Sequence, residues 1–281
     1  MISKLFYNNG STIKINQTYK INYDEIKKKF DKHGILLFNN FQIQPNRLLN
    51  FTDKFTKLYA NDASRRLTLF KKNKIKSVDI GNHEIPLHSE SSFTNQTPEI
   101  IWFFNYDTKI NKTPTTICDG IRVWEKLSYK TRKKFLSEPL IFEVDVNLPF
   151  KKNLNSKEWY LDSIGISKCK LNFKKGKISY NIKKFAVSLD RKNNKLAFCN
   201  HLLSVNDESQ IKKCYFSSGK KISKDIWDEI KLVTDKLTYE HYWKKNQLIM
   251  INNHRFLHGR RKSAPGVKRE ILNIQTLISN F

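Results

Sequence analysis

The stretch IPLHSESSF, residues 85 to 93, sets His88 two positions before Glu90. If it runs as a strand, alternate side chains share a face, and an imidazole and a carboxylate can aim at one point. Such a pair arises often by chance, so a metal site needs a third ligand. Seven histidines are available. His33, His83 and His241 stand in helical, polar or loop contexts and His201 in a strand-like run, where a surface place or a satisfied hydrogen bond is the simpler reading. His254 and His258 differ, because in IMINNHRFLHGRRK a buried strand runs into a polar loop, a place suited to presenting a ligand. Position alone does not choose between these two.

One carboxylate and two imidazoles on one side of an ion leave the opposite positions open. That suits a non-haem Fe(II) ion that must take a cosubstrate and oxygen together. Zinc accepts the same donors, so a zinc-dependent hydrolase is the competing chemistry. A zinc protease of the HExxH kind is excluded: HEIPLH spaces His83, Glu84 and His88 wrongly for it, and Pro86 interrupts the helix it requires. Arg269 opens the final strand-like run REILNIQTLI, where a planar guanidinium can grip a carboxylate through two parallel hydrogen bonds.

The elements that must carry these residues follow from hydrophobic periodicity. YDEIKKKFDKH, residues 23 to 33, places Tyr23, Ile26 and Phe30 at helical spacing, and Gly34 then opens the apolar strand ILLF. A second helix is expected over 46 to 60, with Leu48, Leu49, Phe51, Phe55 and Leu58 facing inward. Strand character takes over from 85 to 107 in IPLHSESSF and IIWFFNYD. TTICDG then leads into the helical IRVWEKL and SYKTRKKFL and the strand-like LIFEVDV. Residues 149 to 193 mix Lys, Asn, Gly and short apolar runs and read as an insertion, or a lid, within one domain spanning 1 to 281. After it, KLAFCNHLLSV reads as a strand, SKDIWDEIKLVTDKL as an amphipathic helix with Ser223 at its N-cap, and QLIMINN as a buried strand. Few connections are long enough for repeated βαβ crossovers, which points to a mixed sheet or barrel flanked by helices.

Composition narrows the class further. The hydrophobic fraction of 39% and aromatic fraction of 12% support a folded chain of 281 residues. The formal charge of +26, from 52 Lys and Arg against 26 Asp and Glu, raises a nucleic-acid-binding protein as the non-enzymatic alternative. The basic residues nevertheless come as scattered runs such as KKNKIK, without an RNP, zinc-finger or KH signature, and read as a solvated face. Four cysteines without CxxC spacing, and no signal-like opening, fit a reducing, cytoplasmic setting. No run reaches the ~18 apolar residues of a membrane span.

Taken in order, GILLF, LHSESSF, TTICDGIRVWEKL, NNHRFLHGR and the following Arg269 resemble the taurine dioxygenase and clavaminate synthase-like superfamily of Fe(II)/2-oxoglutarate-dependent oxygenases. The likeness runs from about residue 34 to the end of the chain. It implies a double-stranded β-helix, or jelly-roll, core flanked by helices. It also implies His88, Glu90 and His258 as the catalytic iron ligands, His258 being preferred to His254 because Gly259 and Arg260 follow it. Thr115 matches the threonine that touches 2-oxoglutarate and Arg269 the arginine that pairs with its distal carboxylate, although KTP replaces the usual glycine pair and leaves Thr116 as the alternative binder. Fe(II), 2-oxoglutarate and O2 are thereby implied, with C–H hydroxylation of a small molecule as the reaction. Glu90 stands where related halogenases lose their carboxylate, so halogenation is not expected. Glutamate in place of aspartate resembles the branch that acts on free amino acids, which makes a small, amino-acid-like substrate the first expectation.

Overall fold

A computed structural model describes residues 11–14, 22–60, 68–70, 74–78, 81–106, 113–147, 161–162, 165–174, 177–205, 210–264 and 271–281. The amino-terminal part holds β1 (Ser11–Lys14), α1 (Tyr23–His33), β2 (Ile35–Asn39), α2 (Leu48–Thr52), β3 (Thr56–Tyr59), β4 (Thr68–Phe70) and β5 (Ile75–Ser77). The middle holds β6 (Ile85–His88), β7 (Ile100–Asn105), β8 (Thr115–Asp119), α3 (Gly120–Lys126), α4 (Tyr129–Ser137) and β9 (Leu140–Asn147). There follow β10 (Leu171–Lys174), β11 (Lys177–Lys184), β12 (Val187–Asp190), β13 (Lys195–Phe198) and β14 (Ile211–Phe216). The chain closes with α5 (Lys224–Leu237), β15 (Tyr239–His241), β16 (Gln247–Asn252), β17 (Phe256–Arg260) and β18 (Ile271–Ser279).

An eight-stranded sheet runs β1-β2-β16-β7-β18-β5-β4, with β3 also paired to β18. A four-stranded sheet, β15-β8-β17-β6, faces it. The two are joined by one apolar layer in which Ile35, Leu37, Ile101, Phe103, Ile249, Ile251 and Ile271 of the larger sheet meet Ile117 and Phe256 of the smaller. Alternation along each strand sends the intervening residues the other way. Outward from the large sheet, Trp102, Phe104, Met250 and Leu272 pack under α1 and α2. Outward from the small sheet, Cys118 and Leu257 pack against α3, α5 and the third sheet, β10-β11-β9-β14.

Local chemistry explains the ends of α1. Asn22 accepts a hydrogen bond from the Glu25 amide at 3.1 Å, satisfying an otherwise orphaned donor at the amino terminus. Gly34 takes φ 69° and returns its N–H to the Phe30 carbonyl, which stops the helix and turns the chain straight into β2. Ile26 and Phe30 are the buried stripe between those caps, as the spacing predicts.

Three expectations are corrected. The helix over 46–60 ends at Thr52, and Thr56–Tyr59 instead forms a strand against β18. The hydroxyls of Thr56 and Thr276 meet across that pair at 2.7 Å, and Leu58, expected inward, is 48% exposed. Pairing with the sheet has overridden a helical spacing of leucines and phenylalanines. The described part of 149–193 does not form a cover. β11 pairs with β9 over its whole length and buries Ile178, Tyr180 and Ile182 in the largest core cluster, behind a polar outer face of Lys177, Ser179, Asn181 and Lys183. β13 ends at Phe198, so the strand expected to run through His201 turns into a short 3-10 segment, Leu202–Ser204.

Candidate metal centre

His258 lies at the middle of β17, between β8 and β6, and its direct antiparallel partner on β6 is His88. Directly opposed residues in an antiparallel pair share a face, so one register places both imidazoles together. Their ring centroids are 4.5 Å apart. Gly259 makes that register reachable. A Cβ there would stand 2.5 Å from the Ile85 carbonyl oxygen and 2.8 Å from Thr116 Oγ1, so only glycine lets β6 close against β17 beside His258.

Glu90 arrives by a different route from the one its spacing suggests. β6 stops at His88, and Glu90 sits in the turn that follows. The turn is tight: Ser91 takes φ 52°, a left-handed conformation that is uncommon outside glycine, and the Thr94 amide bonds the Ser91 carbonyl at 3.0 Å. Asn253 holds the carboxylate's own backbone. Its Oδ1 accepts from the Glu90 amide at 2.8 Å, and its Nδ2 donates to the Glu90 carbonyl at 3.0 Å and to the Pro98 carbonyl at 2.9 Å. Ser89 anchors the same turn through its hydroxyl to the Asn253 carbonyl at 2.8 Å.

The outcome is convergence. Among the described residues, His88, Glu90 and His258 form the one group of three or more His, Cys, Asp or Glu side chains whose donor atoms could share an ion, all within 4.8 Å of one another. They are 8%, 6% and 4% exposed. His258 Nε2 faces Glu90 Oε2 at 3.8 Å. His88 Nδ1 lies 2.8 Å from the Pro86 carbonyl, which can only accept, so in the neutral ring the proton sits on Nδ1 and the lone pair on Nε2. A backbone carbonyl fixing the far nitrogen is how metal-binding imidazoles are commonly oriented. Burying a carboxylate is costly without a cation beside it, and a divalent ion between these donors supplies one. The residues present therefore fit a metal with two nitrogen ligands and one oxygen ligand and further coordination positions for exchangeable ligands.

Around the triad the remaining residues fall on one side or the other of β8. Thr115 pairs with Arg260 and Ile117 with His258, so Thr115 shares the face of His258 while Thr116, opposite Gly259, points away. Thr115 Oγ1 accepts from Trp243 Nε1 at 2.8 Å in a buried contact. Arg269 lies outside the described residues. Arg260 is 2% exposed and donates from Nη2 to the His83 carbonyl at 2.7 Å. His254 stays off the centre, its Nε2 buried without a hydrogen-bond partner among the described residues and its pKa lowered by burial.

His201 is the neighbour that sequence reasoning passed over. Its ring lies 4.8 Å from that of His88 and 4.9 Å from that of Phe93, and its Nδ1 lies 2.7 Å from Ser92 Oγ. Burial pulls it well below the ordinary imidazole range, and the adjacent His88 pushes the same way. Nothing in KLAFCNHLLSV separates this histidine from a strand-surface one; only the 3-10 turn after β13 brings it over β6. Arg255 has another duty. Its Nε and Nη2 clasp both oxygens of buried Asp119 at 3.1 and 2.7 Å, tying the loop before β17 to the N-cap of α3.

Two face-to-face sheets with a buried two-histidine, one-carboxylate cluster between them suit an Fe(II)/2-oxoglutarate-dependent dioxygenase, and that is the class of this protein. The chain belongs to the taurine catabolism dioxygenase TauD, TfdA family, whose model matches residues 4–275. No curated protein sequence matches it. Solved structures do. AAD-2, determined with Mn(II) and N-oxalylglycine, aligns with a TM-score of 0.61 at 14% identity over 96% of this chain and 94% of its own. PvcB from Pseudomonas aeruginosa aligns with a TM-score of 0.62 at 12% identity over 94% of this chain and 84% of its own. A further structure of PvcB, described as an Fe, alpha-ketoglutarate dependent oxygenase from an isonitrile synthetic pathway, has a TM-score of 0.59 at 12% identity over the same shares of both chains. At such identities the likeness is one of fold.

Proposed function

We propose that this protein is a hydroxylase of a small, amino-acid-like molecule, built as one domain over 1–281 on a double-stranded β-helix. In this reading His88, Glu90 and His258 hold Fe(II), while Thr115 and Arg269 hold 2-oxoglutarate. The convergence of three buried donors within 4.8 Å carries it. When bound, iron and 2-oxoglutarate supply the oxidising power, coupling loss of carbon dioxide from the cosubstrate to insertion of oxygen into a C–H bond.

The chain's own contribution is placement. The β6–β17 register and the Asn253 clamp fix the three donors before any ion arrives, so little reorganisation accompanies binding. Thr115 faces the same interior as His258, and because the Trp243 indole can only donate, the threonine oxygen accepts from it, which holds the side chain in place on that face. Phe103, 5.3 Å from the His258 ring, and Ile117 keep the centre dry. The outcome on a given substrate then depends on which C–H bond is held nearest the iron.

Anaerobic addition of Fe(II) and 2-oxoglutarate tests the reading through the weak visible charge-transfer band of the chelate. The band is expected in the wild type and absent in His258→Ala. A folded protein that gives no band, or one whose band survives His258→Ala, overturns the assignment. Zinc retained by elemental analysis, with no response to 2-oxoglutarate, would make the centre that of a hydrolase.

A further inference from the structure

The larger sheet carries carboxamides on the face turned toward the smaller one. On β18, Ile271 belongs to the layer between the sheets while Leu272 and Ile274 pack outward, so Asn273 and Gln275 alternate inward. Their partners on β7, Phe103 and Ile101, belong to the same inner layer. Asn105 and Gln247 share this face, and both bond the protein: Asn105 Nδ2 donates to the Lys244 carbonyl at 3.0 Å, and Gln247 accepts from the Lys244 amide at 2.7 Å and donates to Asn39 Oδ1 at 2.7 Å.

Gln275 is different. It is 5% exposed, and its Oε1 has no hydrogen-bond partner among the described residues. The bonds around it fix which atom is left over. The Trp102 carbonyl can only accept, so Asn273 turns Nδ2 to it at 3.4 Å and presents Oδ1 to Gln275. Gln275 answers with Nε2 at 3.2 Å, which leaves its oxygen as a buried acceptor to which nothing among the described residues donates. An amide oxygen held out of water without a donor costs roughly 1–3 kcal/mol, a loss that a ligand with an N–H or O–H reverses.

Position along β7 says which ligand. The Thr115 end of the interior lies by Asn105, since Thr115 bonds Trp243, and Lys244, next in the chain, bonds Asn105. Phe103, two residues on, contacts His258. Ile101, two further, pairs with Gln275, and the Asn253 clamp on Glu90 reaches Pro98 and Glu99 just beyond. Four residues of strand separate Asn105 from Ile101, about 14 Å. The metal centre thus stands between the cosubstrate side and Gln275.

Resting on the oxygenase reading above, we propose that Gln275 determines substrate specificity, its Oε1 accepting a hydrogen bond from an N–H or O–H donor on the substrate. Protein loaded with Mn(II) and 2-oxoglutarate, which binds without turning over, gives the test. L-Amino acids, the matching 2-hydroxy acids and the matching acids with neither group are titrated by calorimetry. At least one donor-bearing set is expected to bind tenfold or more tighter than the donor-less set, and the amine and hydroxyl arms tell which donor is used. Gln275→Met should abolish that preference while affinity for 2-oxoglutarate stays within about twofold, which also reports that the variant is folded. Gln275→Glu keeps an acceptor in place and should retain the preference, deciding the matter if the methionine variant does not fold. Equal binding of donor-bearing and donor-less acids by the wild type, a preference surviving Gln275→Met, or no binding of any acid to the loaded protein overturns the proposal. Failure to bind Mn(II) and 2-oxoglutarate at all would instead remove the oxygenase reading beneath it.

Discussion

Asn253 and Glu90 exchange two hydrogen bonds across the centre, the carboxamide oxygen taking the Glu90 amide at 2.8 Å and the carboxamide nitrogen giving to the Glu90 carbonyl at 3.0 Å. Asn253 is fully buried and follows the last residue of β16, so the large sheet holds the turn that carries Glu90 beside the small one. Its second Nδ2 bond, to Pro98, and its own amide, to the Glu99 carbonyl, tie that turn to the entry of β7. The metal site is thereby braced at the seam between the sheets.

Asn253→Ala leaves the Glu90 amide and two carbonyls buried without their partner. We expect a loss of about 2–4 kcal/mol in urea unfolding. Asn253→Asp keeps the acceptor and removes the donor, so it should unfold later than the alanine variant yet bind Mn(II) more weakly than the wild type. Equal metal affinity in all three proteins would show that the clamp serves the fold alone.

Metal occupancy should itself be visible as stability. A ligand that binds only the folded chain adds RT ln(1 + [L]/Kd), about 2.7 kcal/mol at a hundredfold excess over Kd. Mn(II) should therefore raise the melting temperature of the wild type and a chelator should reverse the rise, whereas Glu90→Ala and His258→Ala should show no dependence on either. A metal-induced rise of wild-type size in Glu90→Ala would mean that the ion sits elsewhere.

The sequence left Thr115 and Thr116 as alternatives, and strand parity separates them. Thr115 shares the His258 face, and Thr116 lies against Gly259 on the other. Thr115→Val should weaken 2-oxoglutarate by about tenfold, the worth of one hydrogen bond to a charged group. Thr116→Val should leave it within about twofold. The reverse order, read from titration of the chelate band, would mean that the cosubstrate approaches from the outer face.

Why one half of the site was legible and the other not is a matter of how each residue is carried. His88 ends a strand that the sequence reading expected, whereas His258 was read in a polar loop and preferred to His254 only through the Gly-Arg that follows it; the strand Phe256–Arg260 and its register on β6 are what bring the two rings together. Glu90 reads as a strand neighbour of His88 but is delivered by a left-handed turn, which SESSF does not betray without a glycine. His201 and Gln275 have no local signal, since their relevance comes from packing between segments far apart in the chain. The third sheet failed to announce itself for a related reason: β11 buries only Ile178, Tyr180 and Ile182, and the polar Ser179 and Asn181 between them, with lysines at both ends, make the run read as part of a polar insertion.

Acid sensitivity should trace in part to His241. It is 3% exposed on β15, its ring 4.6 Å from that of Trp243, and burial lowers its pKa to about 4 despite a hydrogen bond with Gln247. The unfolded chain takes up the proton near the ordinary value of 6.5 and the folded chain does not until about 4. Stability from this group is therefore intact above the upper value and is lost as pH falls through that window, with a slope approaching ~1.4 kcal/mol per pH unit. His241→Gln should flatten the slope of unfolding free energy between pH 6.5 and 4; an unchanged slope would assign the acid sensitivity to other groups.

Gly259 gives the sharpest separation between folding and binding. Adding a Cβ there presses on the Ile85 carbonyl, a backbone atom that cannot rotate away, and on the Thr116 hydroxyl, which can. Relief requires β6 to move off β17, and β6 carries His88 directly opposite His258. Gly259→Ala should thus cost about 1–3 kcal/mol as an overpacked contact. It should also weaken Mn(II), which Thr115→Val should leave unchanged, because the two imidazoles part. Thr116→Ala combined with Gly259→Ala removes the softer clash and leaves the backbone one, so the double variant should regain little metal affinity. Full recovery there would mean that the hydroxyl, rather than the β6 backbone, is what the missing side chain at 259 makes room for.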